Sequence, residues 1–285
     1  TGLYVEAAGG RDYPDNDERF SFYCRSALEF CKAAKFVPDI IHCHDWQTAL
    51  IPVLLKTKFQ SDPFFKNTRS VLTIHNLAYQ GCFPKEDWPV TGLPDSAFRL
   101  EGLEFYGQIN CLKGGLLYAD RLSTVSPTYA HEIQTPSGGC GLDGVLAVRR
   151  KALVGILNGI DVEEWNPQTD PHLAARYTAD HLSGKAECKR ALQRLRRLPL
   201  RRGMLIGMIQ RLAEQKGIEL FLHAAPTLLA LPVQFVILGV GEPRYHKQLE
   251  GLAARFPKQI CVQLRFDGDL AYQIEAGADA FLMPS

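Results

Sequence analysis

The chain has 285 residues, 46% of them apolar and 22% charged, with a formal net charge of +1. This is globular composition, and the length allows two domains rather than one. The balanced charge excludes a global pull toward nucleic acid or an anionic membrane, and no apolar run approaches the roughly 18 residues that span a bilayer.

Eight cysteines (Cys24, Cys31, Cys43, Cys82, Cys111, Cys140, Cys188 and Cys261) are scattered with no CxxC pair. They read as reduced, small apolar side chains of a cytosolic protein, not as a disulfide or zinc framework.

In chain order, residues 39–42 predict a short strand and 47–58 a helix. Residues 70–75 predict a strand, 97–118 a long helix, 121–125 a strand and 152–157 a further strand ending at "NGID". The stretch "KAECKRALQRLRRLPLRRG" (185–203) reads as helical, then Arg-rich with a proline, and no aromatic or nucleic-acid motif accompanies it. It is taken as a solvated helix end within a linker over 159–203. That leaves domains at 1–158 and 204–285.

The second domain alternates plainly. Strands are predicted at 204–209, 233–238, 260–266 and 280–283, and helices at 217–231, 243–256 and 271–278. Continuous apolar strands between helices indicate a parallel sheet buried on both faces. The fold class is therefore α/β, with two Rossmann-like parallel-sheet domains facing a cleft. Ligands of such sheets bind beyond the carboxyl ends of the strands, so residues just after strands are the candidates.

Four strand ends stand out. In "HCHDWQ", His42 and His44 share a strand face, a conceivable metal pair without a third ligand nearby in sequence; Asp45 reads as an N-cap, a ligand contact or both. His75, in "HNLAYQG", is either a structural histidine or a donor to a sugar hydroxyl or a developing charge. Gly239 and Gly241, in "GVGEP", form a tight turn or let backbone approach an anion at a helix start. Arg211 and Lys216 bracket the loop after the 204–209 strand. They are either surface cations or ligands of a diphosphate. No GxxxxGK[ST] pattern is present, which argues against a P-loop nucleotidase.

Taken together, the segments resemble bacterial-type glycogen or starch synthases, retaining glucosyltransferases of the two-Rossmann GT-B architecture. The likeness runs through "DNDERF" (15–20), "HCHDWQTALIPVLLK" (42–56), "TIHNLAYQG" (73–81) and "GLEFYGQINCLKGGLLYADR" (102–121). It continues in "STVSPTYAHEIQTP" (123–136), "GLDGVL" (141–146), "GILNGIDVEEWNP" (155–167), "RLAEQKG" (211–217) and "GADAFLMPS" (277–285).

The resemblance implies transfer of glucose from a nucleotide-glucose, ADP-glucose first, to the non-reducing 4-hydroxyl of an α-1,4-glucan with retention. It implies an internal-return mechanism with no metal and no cofactor. Arg211 and Lys216 match the cation pair on the donor diphosphate, and His75 matches the histidine near the transferred glucose. Asp45 and Asn158 match cleft residues, and Gly239 and Gly241 match the loop against the nucleotide. Bacterial cytoplasm or a plastid is the implied compartment.

Departures are the loop "GGCGLDG" before and around Gly141, where the family more often carries an aromatic, and "QRL" in place of Ser-Arg-Leu. The family's Lys-x-Gly-Gly-Leu loop and its Glu-x7-Glu motif after "MPS" are not in these residues. The expectation is therefore a piece of a longer enzyme, truncated at both termini, with little synthase activity by itself. The alternatives are a chain that binds nucleotide or glucan without turnover, and a related GT-B transferase with another acceptor.

Overall fold

A computed structural model describes residues 12–201 and 203–285. Arg202 of the arginine-rich stretch and the opening "TGLYVEAAGG" lie outside the described residues. The chain divides after Gly159 into two compact units.

The first unit runs α1 (Asn16–Ala33), β1 (Ile40–His44), α2 (Asp45–Thr48), α3 (Leu50–Lys56), β2 (Arg69–Ile74), β3 (Cys82–Phe83) and α4 (Trp88–Thr91). It continues with β4 (Glu104–Phe105), β5 (Gln108–Asn110), α5 (Cys111–Tyr118), β6 (Arg121–Thr124), α6 (Pro127–Glu132), α7 (Asp143–Val148) and β7 (Leu153–Gly155). Four strands form a parallel sheet in the order β1-β2-β6-β7.

Leu72 and Ile74 of β2 and Leu122 of β6 are fully buried in one core with Val53 and Leu54 of α3 and Leu112 and Leu116 of α5. Each such side chain contributes roughly 1.5–3 kcal/mol by leaving water. Asp120, just before β6, pins the sheet's other end. Its carboxylate accepts from Lys56 Nζ (2.9 Å), the Ser70 amide (2.8 Å) and the Ser70 hydroxyl (3.1 Å).

The helix expected over 97–118 is not formed as one piece. Only α5 is helical; β4 and β5 make an antiparallel hairpin before it, joined to β3 in a small three-stranded sheet. Leu103, Ile109, Leu112 and Leu116 are all buried, so the apolar spacing is satisfied by a hairpin feeding a helix. Tyr106 and Gly107, with φ of 51° and 82°, reverse the chain and exclude a helix there. The buried Lys113 ammonium then ties the segment down by donating to the carbonyls of Leu100 (2.6 Å) and Glu104 (2.5 Å).

The second unit runs α8 (Ser183–Leu195), β8 (Met204–Ile209), α9 (Ile218–Leu229), β9 (Val233–Leu238), α10 (Pro243–Arg255), β10 (Ile260–Gln263), α11 (Gly268–Gly277) and β11 (Ala280–Phe281). Its parallel sheet has the order β10-β9-β8-β11. Successive side chains of a strand point to opposite faces, and β9 fills both. Phe235 and Ile237 pack with Met208, Phe221, Tyr245 and Leu249, while Val236 and Leu238 pack with Leu192, Leu205, Leu270 and Ile274. That two-sided burial is why β9 is apolar without alternation.

Within the stretch read as a linker, 159–203, lies α8. α8 packs on α11, its Lys185 Nζ donating to the Ala276 carbonyl (2.9 Å) and Lys189 Nζ to Asp279 (2.5 Å). An amphipathic helix with Cys188 and Leu192 buried needs a partner surface, and α11 supplies it.

All eight cysteines are free thiols; Cys24, Cys43, Cys111 and Cys188 are buried, and Cys82 and Cys140 are exposed. Burial pushes the Cys24 and Cys43 thiols up to about 12.

Candidate functional site

In the first unit the polar groups gather at the carboxyl ends of β1 and β2. Asp45 follows β1 in a left-handed conformation (φ 54°). The capping alternative for Asp45 does not hold: His44 occupies the N-cap position of α2. The Asp45 carboxylate instead crosses to the next strand end and accepts the His75 backbone N–H at 2.7 Å. A left-handed non-glycine residue costs about 1 kcal/mol or more, and here it aims a carboxylate at the His75 backbone.

The His75 ring is held from the same direction. Its Nε2 lies 3.0 Å from His44 Nδ1, a bond that needs one N–H and one bare nitrogen. The ring that accepts is therefore neutral. Partial burial holds His44 below the ordinary imidazole value, helped by neighbouring His42 and His75, while Asp45 pulls the other way. His42 stacks on His44 with centroids 4.2 Å apart but turns its Nε2 to Thr73 Oγ1 (2.7 Å), which continues to Ser123 Oγ (2.6 Å). The two histidines of "HCH" thus face different partners. Among the described residues, no group of three or more His, Cys, Asp or Glu is placed to hold a metal ion.

Asn158 stands apart from this cluster. It is exposed beyond the end of β7, two strands from β2, and its side chain makes no hydrogen bond among the described residues. Two strand spacings put it on the order of 10 Å away along the same sheet edge.

In the second unit the chain runs outward from β8 to β9 to β10, then returns to the other side of β8 with β11. The carboxyl end of β8 is thus the topological switch point, where open α/β sheets bind ligands. Arg211 and Lys216 sit in the loop that leaves it. Neither cation makes a side-chain hydrogen bond or ion pair among the described residues, and neither is buried.

Gly239 and Gly241 bring the β9 loop against the β8 loop. A Cβ on Gly239 would lie 2.0 Å from the Gln210 carbonyl oxygen, and one on Gly241 would lie 2.0 Å from that of Leu212. The two loops are bridged by Leu212 N–H to the Val240 carbonyl (2.8 Å) and Glu242 N–H to the Leu212 carbonyl (2.8 Å). The missing side chains therefore admit backbone of the same unit and hold the Arg211 loop in place. The Gly241 N–H donates to His246 Nε2 (3.0 Å), and Glu242 sits at the N-cap position of α10. The Gly239, Gly241 and Glu242 amides of this turn are thus bonded within the unit, while the β8 cations beside it have no side-chain partner among the described residues.

Sequence reasoning missed Phe266. The expected strand over 260–266 would place it in the core, but β10 ends at Gln263 and Phe266 is 93% exposed. Its polar neighbours Arg265 and Asp267, which pair with each other (2.6 Å), are the signal that the strand has ended. Also missed was Arg244, which bridges Glu214, Glu219 and Glu242 and so ties the start of α10 to the loop carrying Lys216.

The chain thus comprises two parallel-sheet α/β units, one edged with paired histidines and one with exposed cations at a switch point. Comparison with known proteins gives the family. The family model for the starch synthase catalytic domain matches residues 1–148. Glycogen synthase 2 of Geobacter sulfurreducens is 52% identical over 283 residues, covering 99% of this chain and 58% of the relative. The glycogen synthase of Anaeromyxobacter dehalogenans is 52% identical over 285 residues, covering all of this chain and 60% of the relative. The catalytic domain of starch synthase IV from Arabidopsis thaliana, solved with ADP and acarbose, superposes with a TM-score of 0.90 at 36% identity, over 98% of this chain and 58% of that one. The chain belongs to the starch synthase catalytic domain family, and it spans about three fifths of the length of these relatives.

Proposed function

We propose that the protein transfers glucose from ADP-glucose to the non-reducing 4-hydroxyl of an α-1,4-glucan with retention. The observation that carries this reading is that Arg211 and Lys216, at the switch point of the second sheet, have no side-chain partner among the described residues. Two such cations suit a diphosphate, whose charge grows as the sugar–phosphate bond breaks. A preorganised donor at a developing charge is typically worth about 3 kcal/mol of barrier.

Phe266 supports a nucleoside on that diphosphate. It follows β10, two strands from β8, so an exposed ring stands on the order of 10 Å along the sheet edge from the cations. That is the scale of the reach from a base to its terminal phosphate. The starch synthase IV structure contains ADP, which agrees with an adenine nucleotide.

On the first unit, His75 is the group for the transferred glucose, with Asp45 fixing its backbone and His44 its ring. Asn158 supplies a free amide further along the same edge. The acceptor is a glucan, in keeping with the glycogen synthase relatives. No helix among the described residues is long and apolar enough to cross a membrane. The bacterial relatives favour a bacterial cytoplasm over a plastid.

Calorimetric titration with ADP tests the reading. Binding by the wild-type chain that Arg211→Ala and Lys216→Ala each weaken about tenfold or more is expected. ADP affinity indifferent to both substitutions refutes it.

A further inference from the structure

The β4–β5 hairpin ends in a two-residue turn, with Phe105 opposite Gln108 and Tyr106 and Gly107 at its centre. Both central residues have positive φ, 51° and 82°, the signature of a type I′ turn. Asn-Gly is the favoured pair there, because asparagine tolerates the left-handed region and an aromatic does not. The Glu104 carboxylate holds the tip by accepting the Gly107 N–H at 2.8 Å. This sequence places tyrosine where asparagine would be easier, and then exposes 87% of it to solvent. Neither folding nor core packing explains that choice. A strained residue with no burial to explain it points to a ligand.

The ring is presented as a rigid face. It packs edge-on against Phe105, with centroids 4.7 Å apart and planes at 75°. Phe105 is backed in turn by Gly141, where a Cβ would stand 3.2 Å from the Phe105 ring. That loop is the one lacking the aromatic common in the family, "GGCGLDG". Its Cys140 carbonyl accepts from Gln80 Nε2 (2.9 Å), and Gln80 Oε1 accepts from Asn110 Nδ2 (2.6 Å). Gln80 lies in the segment that begins at His75. The tip of the hairpin is therefore tied by direct contacts to the strand-end loop assigned above to the transferred glucose. Its chain neighbours Glu104, Phe105, Gly107 and Gln108 include no cation, which suits a neutral polyol.

We infer that Tyr106 is a stacking platform for the acceptor α-1,4-glucan, its ring covering the C–H face of a glucose residue and its hydroxyl meeting the sugar hydroxyls. This rests on the proposed function for its choice of ligand. Tyrosine is suited to the task because it offers a large apolar face with a polar tip at low entropic cost.

The test exploits the turn. Tyr106→Asn installs the better turn residue and removes the ring, so stability and binding should move in opposite directions. Calorimetry of the chain with maltoheptaose is expected to show affinity about fivefold weaker for Tyr106→Asn and within twofold of wild type for Tyr106→Phe. ADP affinity should not change, and the Tm of Tyr106→Asn should stay level or rise by roughly 2 °C. Wild-type-like maltoheptaose binding by Tyr106→Asn, absence of maltoheptaose binding by the wild type, or a fall in Tm alongside the loss overturns the inference. Loss of ADP binding in the wild type would instead strike the donor assignment and leave this one standing.

Discussion

The carboxyl edges of the two sheets are built on opposite principles. The first is closed on itself: Asp45 takes the His75 amide, His44 takes the His75 ring, and His42 runs on through Thr73 to Ser123. The second holds its charge open: Arg211 and Lys216 have no side-chain partner among the described residues, while backbone-to-backbone contacts through Gly239 and Gly241 fix the loop that carries them. Side chains on the first edge are held by neighbours; the cations on the second stand on a rigid backbone base. An unpaired surface cation costs little, because water solvates it, whereas a loosely held imidazole has no defined tautomer or direction.

The sharpest way to break this contrast is to remove both cations. Arg211→Ala with Lys216→Ala should lower ADP affinity at least about a hundredfold and leave the urea midpoint unchanged, since neither side chain stabilises the fold. A large stability loss would mean that the cations have structural partners.

Next in size is the loop's rigid base. Gly241→Ala forces a Cβ to within 2.0 Å of the Leu212 carbonyl oxygen, and such overpacking typically costs 1–3 kcal/mol. Urea unfolding should show that loss, with weaker ADP binding because the Arg211 loop is displaced. A neutral result would return the glycine to ligand contact alone.

A comparable loss confined to the first unit is expected from Asp120→Ala, which strands the Lys56 and Ser70 donors, roughly 1–3 kcal/mol. Amide exchange should quicken in β2 and β6 and not in β8 and β9. Burial raises the Asp120 carboxyl, but its bonds from Lys56 and Ser70 outweigh that and hold it below the ordinary 3.8. Its contribution is thus fully present above that value and is lost as pH falls through the folded one.

The smallest effect belongs to the histidines. His44 titrates below 6.5 in the folded chain, with partial burial first among the causes. The unfolded chain therefore takes up the proton first, and stability begins to fall as pH drops beneath 6.5. Ring resonances should place the His44 midpoint below 6.5, and His44→Asn should shift the His75 ring signals. A His44 midpoint at or above 6.5 would contradict the burial that lowers it, and unmoved His75 signals would dissolve the pairing.

Much of the second unit is legible in the sequence because its strands are buried on both faces: the runs at 204–209 and 233–238 are β8 and β9 residue for residue. The first unit is harder. Ile109, Leu112 and Leu116 fit a helical spacing, and only the left-handed pair Tyr106–Gly107 reveals the hairpin. Strand ends point to Asp45, His75, Arg211 and Lys216 without coordinates, since chemistry collects there in any parallel sheet. What they cannot convey is partnership. That Asp45 serves His75, that Arg244 gathers three carboxylates, and that Gly239 and Gly241 face backbone all depend on contacts between segments far apart in the chain.

The distribution of thiols has a practical outcome. Only a thiolate reacts readily with a maleimide, and the Cys24 and Cys43 thiols, at about 12, are almost wholly protonated at neutral pH. Cys140 is exposed in the loop whose next residue, Gly141, lies against Phe105. With the other exposed thiol, Cys82, replaced, a fluorophore coupled there would sit beside the hairpin tip, and a change in its emission on adding maltoheptaose would test the inferred glucan contact with no cysteine added to the protein.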